Sequence, residues 1–231
     1  MRTVGILGGI GPESTVDYYR GIVAGYREQR PDGSYPSILI NSLSVSKLLG
    51  WMDAGQLGEV VDYLAVELQK LVRAGADFGI IAANTPHLVF DDLQRRSAIP
   101  LISIVEATCA EAKRRGIRTA GLLGTRFTMQ ASFYPDVLRR EGITTVVPQE
   151  AEQAYIHEKY VGELLANTFL PETREKLVAI IQRMKEQGQI QAVILGGTEL
   201  PLLLREKTAC GLPLLDTTQI HVRAVVAELL A

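Results

Sequence analysis

Backbone amides and short polar side chains gathered at a strand-to-helix corner make a binding site for a small anion, and this sequence repeats that arrangement. Ala83-Asn84-Thr85-Pro86-His87, Gly124-Thr125-Arg126-Phe127-Thr128 and Gly196-Gly197-Thr198-Glu199-Leu200 each follow a short apolar run. Small residues let the chain turn sharply there. Asn or Thr then offers N–H and O–H donors at a helix N-terminus, where partial positive charge favours a carboxylate. A fourth corner, Gly8-Gly9-Ile10-Gly11-Pro12-Glu13-Ser14, opens a helix expected over Thr15–Tyr26, with Pro12 suited to a first turn. It is not a dinucleotide fingerprint: Gly9-x-Gly11-x-x-Ser14 lacks the third glycine, and no acid follows the second strand, SILINSLS. A phosphate loop would need Gly-Lys-Ser/Thr, which is absent. Each corner taken alone also fits a plain helix cap; several facing one cleft point instead to a small anionic substrate.

Acid–base candidates in or near these corners are His87, whose ordinary pKa suits proton transfer, and Glu199, which equally suits orienting its loop or capping its helix. Lys47, expected in the loop after the second strand, is a candidate for a distal carboxylate; Arg126 and Lys159 are weaker ones. Cys109 and Cys210 give neither a disulfide framework nor metal-ligand spacing and read as packing residues. His157 and Glu158 lie in a helical motif and carry no assigned chemistry. His221 follows Asp216-Thr217-Thr218, a helix start, and reads as packing.

The elements that must position these residues alternate along the chain. Strands are expected at Thr3–Leu7, Ser37–Ile40, Phe78–Ala82, Leu101–Ile104, Thr119–Leu123, Thr144–Val147, Ala192–Leu195 and Leu212–Leu215. Between them lie amphipathic stretches such as Leu57–Ala74, where Val60, Val61, Leu64, Leu68 and Leu71 recur at helical spacing. Near-continuous apolar strands separated by helices imply an α/β fold with parallel sheets covered on both faces. Twenty-four Lys and Arg against 26 Asp and Glu argue against a nucleic-acid partner, which requires a basic face. Apolar runs such as Leu200–Leu204 fall far short of the ~20 residues of a membrane span, and the start passes straight into a strand pattern. The expectation is a cytoplasmic protein without structural metal.

Three echoes divide the 231 residues. RTVGILGG (Arg2–Gly9) returns 116 residues later as RTAGLLGT, and GADFGIIAANT (Gly75–Thr85) returns 113 later as GQIQAVILGGT. AIPLISI (Ala98–Ile104) matches GLPLLDT (Gly211–Thr217) at the same 113 spacing. A duplicated pair of α/β lobes is expected, residues 1–99 with about 216–231 and residues 100–215, pseudo-symmetric around a central cleft. The final helix, expected over Gln219–Leu230, would fold back on the first lobe.

GILGGIGPEST (Gly5–Thr15), ANTPH (Ala83–His87), GLLGTRFTM (Gly121–Met129), YIHEKYVGEL (Tyr155–Leu164), LGGTEL (Leu195–Leu200) and LDTTQIH (Leu215–His221) run in order over essentially the whole chain. Together they resemble the aspartate/glutamate racemase superfamily, the amino-acid racemases that work without pyridoxal phosphate. GLLGTRFTM followed by SFY (Ser132–Tyr134) is most similar to its broad-specificity amino-acid racemase branch. The resemblance implies a two-lobed racemase-like fold, no cofactor, a homodimer, and a small carboxylate or amino-acid ligand. It also implies two-base proton transfer at the α carbon, with one cysteine before the Asn-Thr of the first lobe and one before the Thr-Glu of the second. Those positions hold Ala83 and Gly197, which carry no acid–base atom. Ligand contacts are expected from Gly11, Lys47, Asn84, Thr85, Thr125 and Thr198, with His87 and Glu199 as substitute acid–base groups. Three readings stay open: a racemase inactivated by engineered substitution at its catalytic positions, a natural divergent enzyme with other acid–base groups, and a carboxylate- or amino-acid-binding protein without catalysis. Loss of both thiols is further expected to open room on both faces of the substrate carbon, for a bulkier ligand or a water.

Overall fold

The computed structural model describes residues 2–231. Through the first half of the chain it places β1 (Thr3–Gly8), α1 (Pro12–Gln29), β2 (Ser37–Ser42), α2 (Val45–Asp53), α3 (Leu57–Arg73), β3 (Phe78–Ile81), a 3₁₀ turn Thr85–Val89, α4 (Phe90–Arg96) and β4 (Leu101–Ile102). There follow α5 (Ile104–Arg114), β5 (Thr119–Gly124), α6 (Arg126–Gln130), α7 (Phe133–Arg140), β6 (Thr144–Val146), α8 (Glu150–Gly162) and α9 (Pro171–Gly188). The chain ends with β7 (Ala192–Gly196), α10 (Leu200–Leu203), β8 (Thr208–Ala209), β9 (Leu212–Asp216) and α11 (Thr217–Leu230). The eight expected strands are all present, each with an end shifted by one or two residues, and the last helix begins at Thr217 rather than Gln219. Leu101–Ile104 contracts to two residues because Ile104 already starts α5, and α1 begins at Pro12 rather than Thr15.

Two compact units result: the residues up to Ile104 with His221–Ala231, and Val105–Ile220. The first sheet has the order β2-β1-β3-β4, wholly parallel. The second has β6-β5-β7-β9-β8, parallel except for the short β8, which pairs antiparallel with β9. Omitting β8, the strand order is the same in both, and the echoed segments fall on β1 and β5, β3 and β7, and β4 and β9. In such sheets the ligand corners lie beyond the strands' carboxyl ends. These are the places where the Gly, Asn and Thr residues stand.

Each unit has its own core. In the first, Val4 and Ile6 of β1 and Phe78 and Ile80 of β3 pack with Tyr18, Ile22 and Tyr26 of α1. Val222, Val225, Val226 and Leu229 of α11 close that cluster, so the last helix completes the first unit. A Cβ built at Gly21 would lie 3.2 Å from Val222, and one at Gly25 3.2 Å from Val226; the two helices approach closely because α1 has glycine there. In the second, Val193 and Leu195 of β7 pack with Ile156 and Tyr160 of α8 and Leu177, Ile180, Ile181 and Met184 of α9. Among the described residues, no helix is long and apolar enough to cross a membrane.

Candidate active site

In the first unit, the loop after β1 is locked on itself. Gly9 has φ +76°, and a Cβ on it would meet the Leu43 carbonyl oxygen at 2.5 Å, so only glycine fits. Its amide donates to Thr15 Oγ1 (2.8 Å), while the Gly11 carbonyl accepts from Ser14 Oγ (2.9 Å) and Thr15 Oγ1 (3.1 Å). Gly11 thus ends up buried at the N-terminus of α1, an 18-residue helix with Pro12 in its first turn.

The corner after β3 carries Ala83, Asn84 and Thr85, the first two buried and Thr85 half-buried. The Asn84 carbonyl accepts from the His87 amide (2.9 Å) to form the 3₁₀ turn. His87 is wholly used in holding this turn. The Ile104 amide donates to its Nε2 (3.2 Å), so Nδ1 carries the proton and donates to the Ala83 carbonyl (2.9 Å). Its ring stacks on Phe90 at 4.9 Å. Burial, with His221 adding repulsion, pushes its pKa down to about 3. Neutral, with both nitrogens engaged, His87 is a structural residue, and the substitute acid–base role expected for it has no free nitrogen to act through.

Lys47 is also placed differently from expectation. It lies on α2 rather than in a loop, and its ammonium sits 5.0 Å from the Trp51 ring centroid and 4.8 Å from that of Tyr63. This cation–π arrangement holds the charge against two aromatic faces. Lys159 is likewise committed, to Glu163 at 2.6 Å, and Arg126 lies over the ring of Phe127.

In the second unit, the ends of β5 and β7 come together through glycine. A Cβ on Gly124 would lie 2.6 Å from the Gly196 carbonyl oxygen. Thr125 is the N-cap of α6, its hydroxyl accepting from the Thr128 amide at 3.3 Å, so its side chain takes the capping role. His157 of α8 accepts from the Arg126 amide at 3.4 Å and supports the same turn.

The corner after β7 differs most from expectation. Gly197 has no left-handed φ to demand glycine. What demands it is Tyr160: a Cβ built on Gly197 would lie 2.4 Å from Tyr160 Cε2, 2.9 Å from Cζ and 2.8 Å from the hydroxyl oxygen. Tyr160 belongs to α8 and is buried in the core of the second unit. Its hydroxyl donates to Glu199 Oε2, and Thr198 Oγ1 donates to the same oxygen at 3.0 Å. Burial first, then the Glu199 charge, raises the phenol's pKa well above its usual value. The room expected at position 197 is therefore absent, because an aromatic ring fills it. Glu199 stands at the N-cap of α10 without capping it, since its carboxylate is turned to Tyr160 and Thr198. Tyr160 is the functional candidate that sequence reasoning missed; nothing in YIHEKYVGEL signals a contact with a residue so far along the chain.

Comparison with known proteins identifies the relatives of the chain. Residues 7–225 match the family described as Asp/Glu/Hydantoin racemase. The chain belongs to that family. Among racemase relatives it is 26% identical to the broad specificity amino-acid racemase RacX of Bacillus subtilis (strain 168), over 99% of this chain and 98% of the relative. The crystal structure of an aspartate racemase homologue from Pyrococcus horikoshii OT3 superposes with a TM-score of 0.83 at 35% identity, all of both chains being covered. The aspartate racemase of Picrophilus torridus shares the racemase fold at a TM-score of 0.80 and 20% identity, over 99% of this chain and 94% of that one. In this chain position 83 carries a methyl group, and position 197 is a glycine covered by a tyrosine ring.

Proposed function

We propose that this chain binds a small amino acid or related carboxylate at the carboxyl ends of its parallel strands and does not interconvert enantiomers by a two-thiol route. Racemisation needs one group to remove the α proton on one face and another to deliver a proton on the opposite face. Ala83 offers only a methyl group, and the observation that carries the reading is the Tyr160 ring lying in the side-chain space of position 197. Family membership and the likeness to a broad specificity amino-acid racemase support an amino-acid ligand. In the first unit donors would come from Gly11, Asn84 and Thr85; in the second they would come from the backbones of Thr125 and Thr198, whose hydroxyls serve the α6 cap and Glu199. Lys47, held between two rings, is left out of that set.

Titration with L- and D-aspartate, L- and D-glutamate and a neutral amino acid, followed by broadening of the ligand's proton signals, tests this. Saturable broadening is expected for at least one of them. Asn84→Ala should weaken it about tenfold or more, the usual cost of losing a hydrogen bond to a charged group. No saturable effect with any of these ligands would overturn the reading.

We also infer, from the resemblance, a cytoplasmic homodimer. In support, β2 is an outer strand of its sheet and exposes Ile40. Light scattering should return twice the chain mass, and a monomer would contradict it.

A further inference from the structure

In the second unit the corner after β7 holds an acid–base assembly that neither ordinary packing nor ligand binding explains. Tyr160, Thr198 and Glu199 form a buried chain of hydrogen bonds ending on one carboxylate oxygen. A tyrosine needed only to fill space would serve as well as phenylalanine. This one brings its hydroxyl to within 2.8 Å of the point where a side chain at position 197 would begin.

We infer that Tyr160 is a catalytic residue for one-sided proton exchange, its hydroxyl standing where the second thiol of the family motif would stand and Glu199 positioned behind it. The inference rests on the amino-acid binding proposed above. In the forward step the Cα–H bond of the bound amino acid breaks and its proton goes to the Tyr160 oxygen. The proton already on that oxygen passes to Glu199 Oε2, and the electron pair left on Cα delocalises into the substrate carboxylate. In D₂O the proton taken up by Glu199 leaves to solvent in exchange for a deuteron, and the reverse step returns that isotope through the Tyr160 oxygen to the same face. No net oxidation, bond to carbon or leaving group is involved. The relay follows from the geometry of the pair: the Tyr160 hydroxyl already donates to Glu199 Oε2, so its oxygen gains a proton only as it gives one away.

The stereochemical consequence is specific. Removal and return of the proton both pass through the Tyr160 oxygen, so exchange proceeds with retention. Only the enantiomer that presents its α proton to Tyr160 exchanges at all.

The test is proton NMR of L- and D-aspartate and L- and D-glutamate with the full chain in D₂O, followed by chiral chromatography of the recovered amino acids. One enantiomer is expected to lose its α-proton signal while keeping its configuration, and its mirror image to keep both. Tyr160→Phe retains the ring in the side-chain space of Gly197 and should lower the saturating exchange rate about 100-fold or more, the usual contribution of a general acid–base group. Half-saturation should stay within about threefold, as expected for a group acting only in the proton-transfer step. Glu199→Gln should lower the same rate and leave half-saturation unmoved, which a merely structural carboxylate would not do. Binding without exchange in either enantiomer, or exchange untouched by Tyr160→Phe, would overturn the inference and leave the binding reading intact. Formation of the mirror image would overturn retention and the proposed absence of racemisation together. Failure of every ligand to bind would remove both.

Discussion

Glycine at position 197 and tyrosine at position 160 form a matched pair, each compatible with the fold because of the other. A methyl group on Gly197 would stand 2.4 Å from a ring carbon of a core tyrosine, closer than any ordinary contact. Gly197→Ala should therefore destabilise by about 1–3 kcal/mol, the usual cost of overpacking a core. Tyr160→Ala alone should cost about 3–5 kcal/mol as a cavity. In the double variant the methyl enters space the ring has left, so the two costs should fall short of their sum by about 1 kcal/mol or more. Urea unfolding of the four proteins measures this, and simple additivity would contradict the pairing. A cysteine restored at position 197 meets the same ring, so recovering a thiol there requires a smaller residue at 160. Ala83 and Gly197 stand out in the sequence, since their neighbours Asn84-Thr85 and Thr198-Glu199 frame them. Tyr160 does not, because an aromatic in a helical stretch reads as core, which it also is.

Two buried histidines tie elements of the first unit together. His87 fastens the turn after β3 to the start of α5. His221 accepts from the Tyr18 hydroxyl of α1 (2.8 Å) and donates to the Ile102 carbonyl of β4 (3.0 Å), anchoring α11. Burial lowers both pKa values, to about 3 and about 4. Both groups titrate near 6.5 in the unfolded chain. Below that value the unfolded state therefore binds protons that the folded state refuses. Their contribution to stability is complete above about pH 6.5 and is lost as pH falls towards 4, with a slope approaching about 2.7 kcal/mol per pH unit for two protons. Denaturant unfolding at pH 7 and pH 5, a window above most carboxylates, should show the loss. His87→Gln and His221→Gln should each flatten it, and an unchanged stability would contradict the burial. The parallel strands are legible because TVGIL and AVIL are apolar on both faces. The two-residue β8 is not, because a pair that short carries no periodicity; nor is the start of α2, because Ser42, Ser44 and Ser46 all suit an N-cap and the structure places Ser44 there, which puts Lys47 on the helix.

At the scale of the molecule, the echoed segments became two units with one strand order, and the turns of both carry Gly, Asn or Thr where the strands end. That repetition, with the family match over residues 7–225, makes the fold readable from sequence almost in full. The site was readable only in part. Thr125 reads in the sequence as a ligand residue, yet its hydroxyl is taken by the α6 cap; His87 reads as a base, yet both its nitrogens hold the turn. Local sequence shows which groups are present but not which partners the fold has already given them. In the function proposed above, a racemase fold has kept its binding corners and closed its thiol positions. The measurement that tests this most directly is chiral chromatography of L-aspartate and L-glutamate after long incubation with the unaltered chain, without added metal or cofactor. Each should return as the L enantiomer alone. Accumulation of the D enantiomer towards an equal mixture would contradict it.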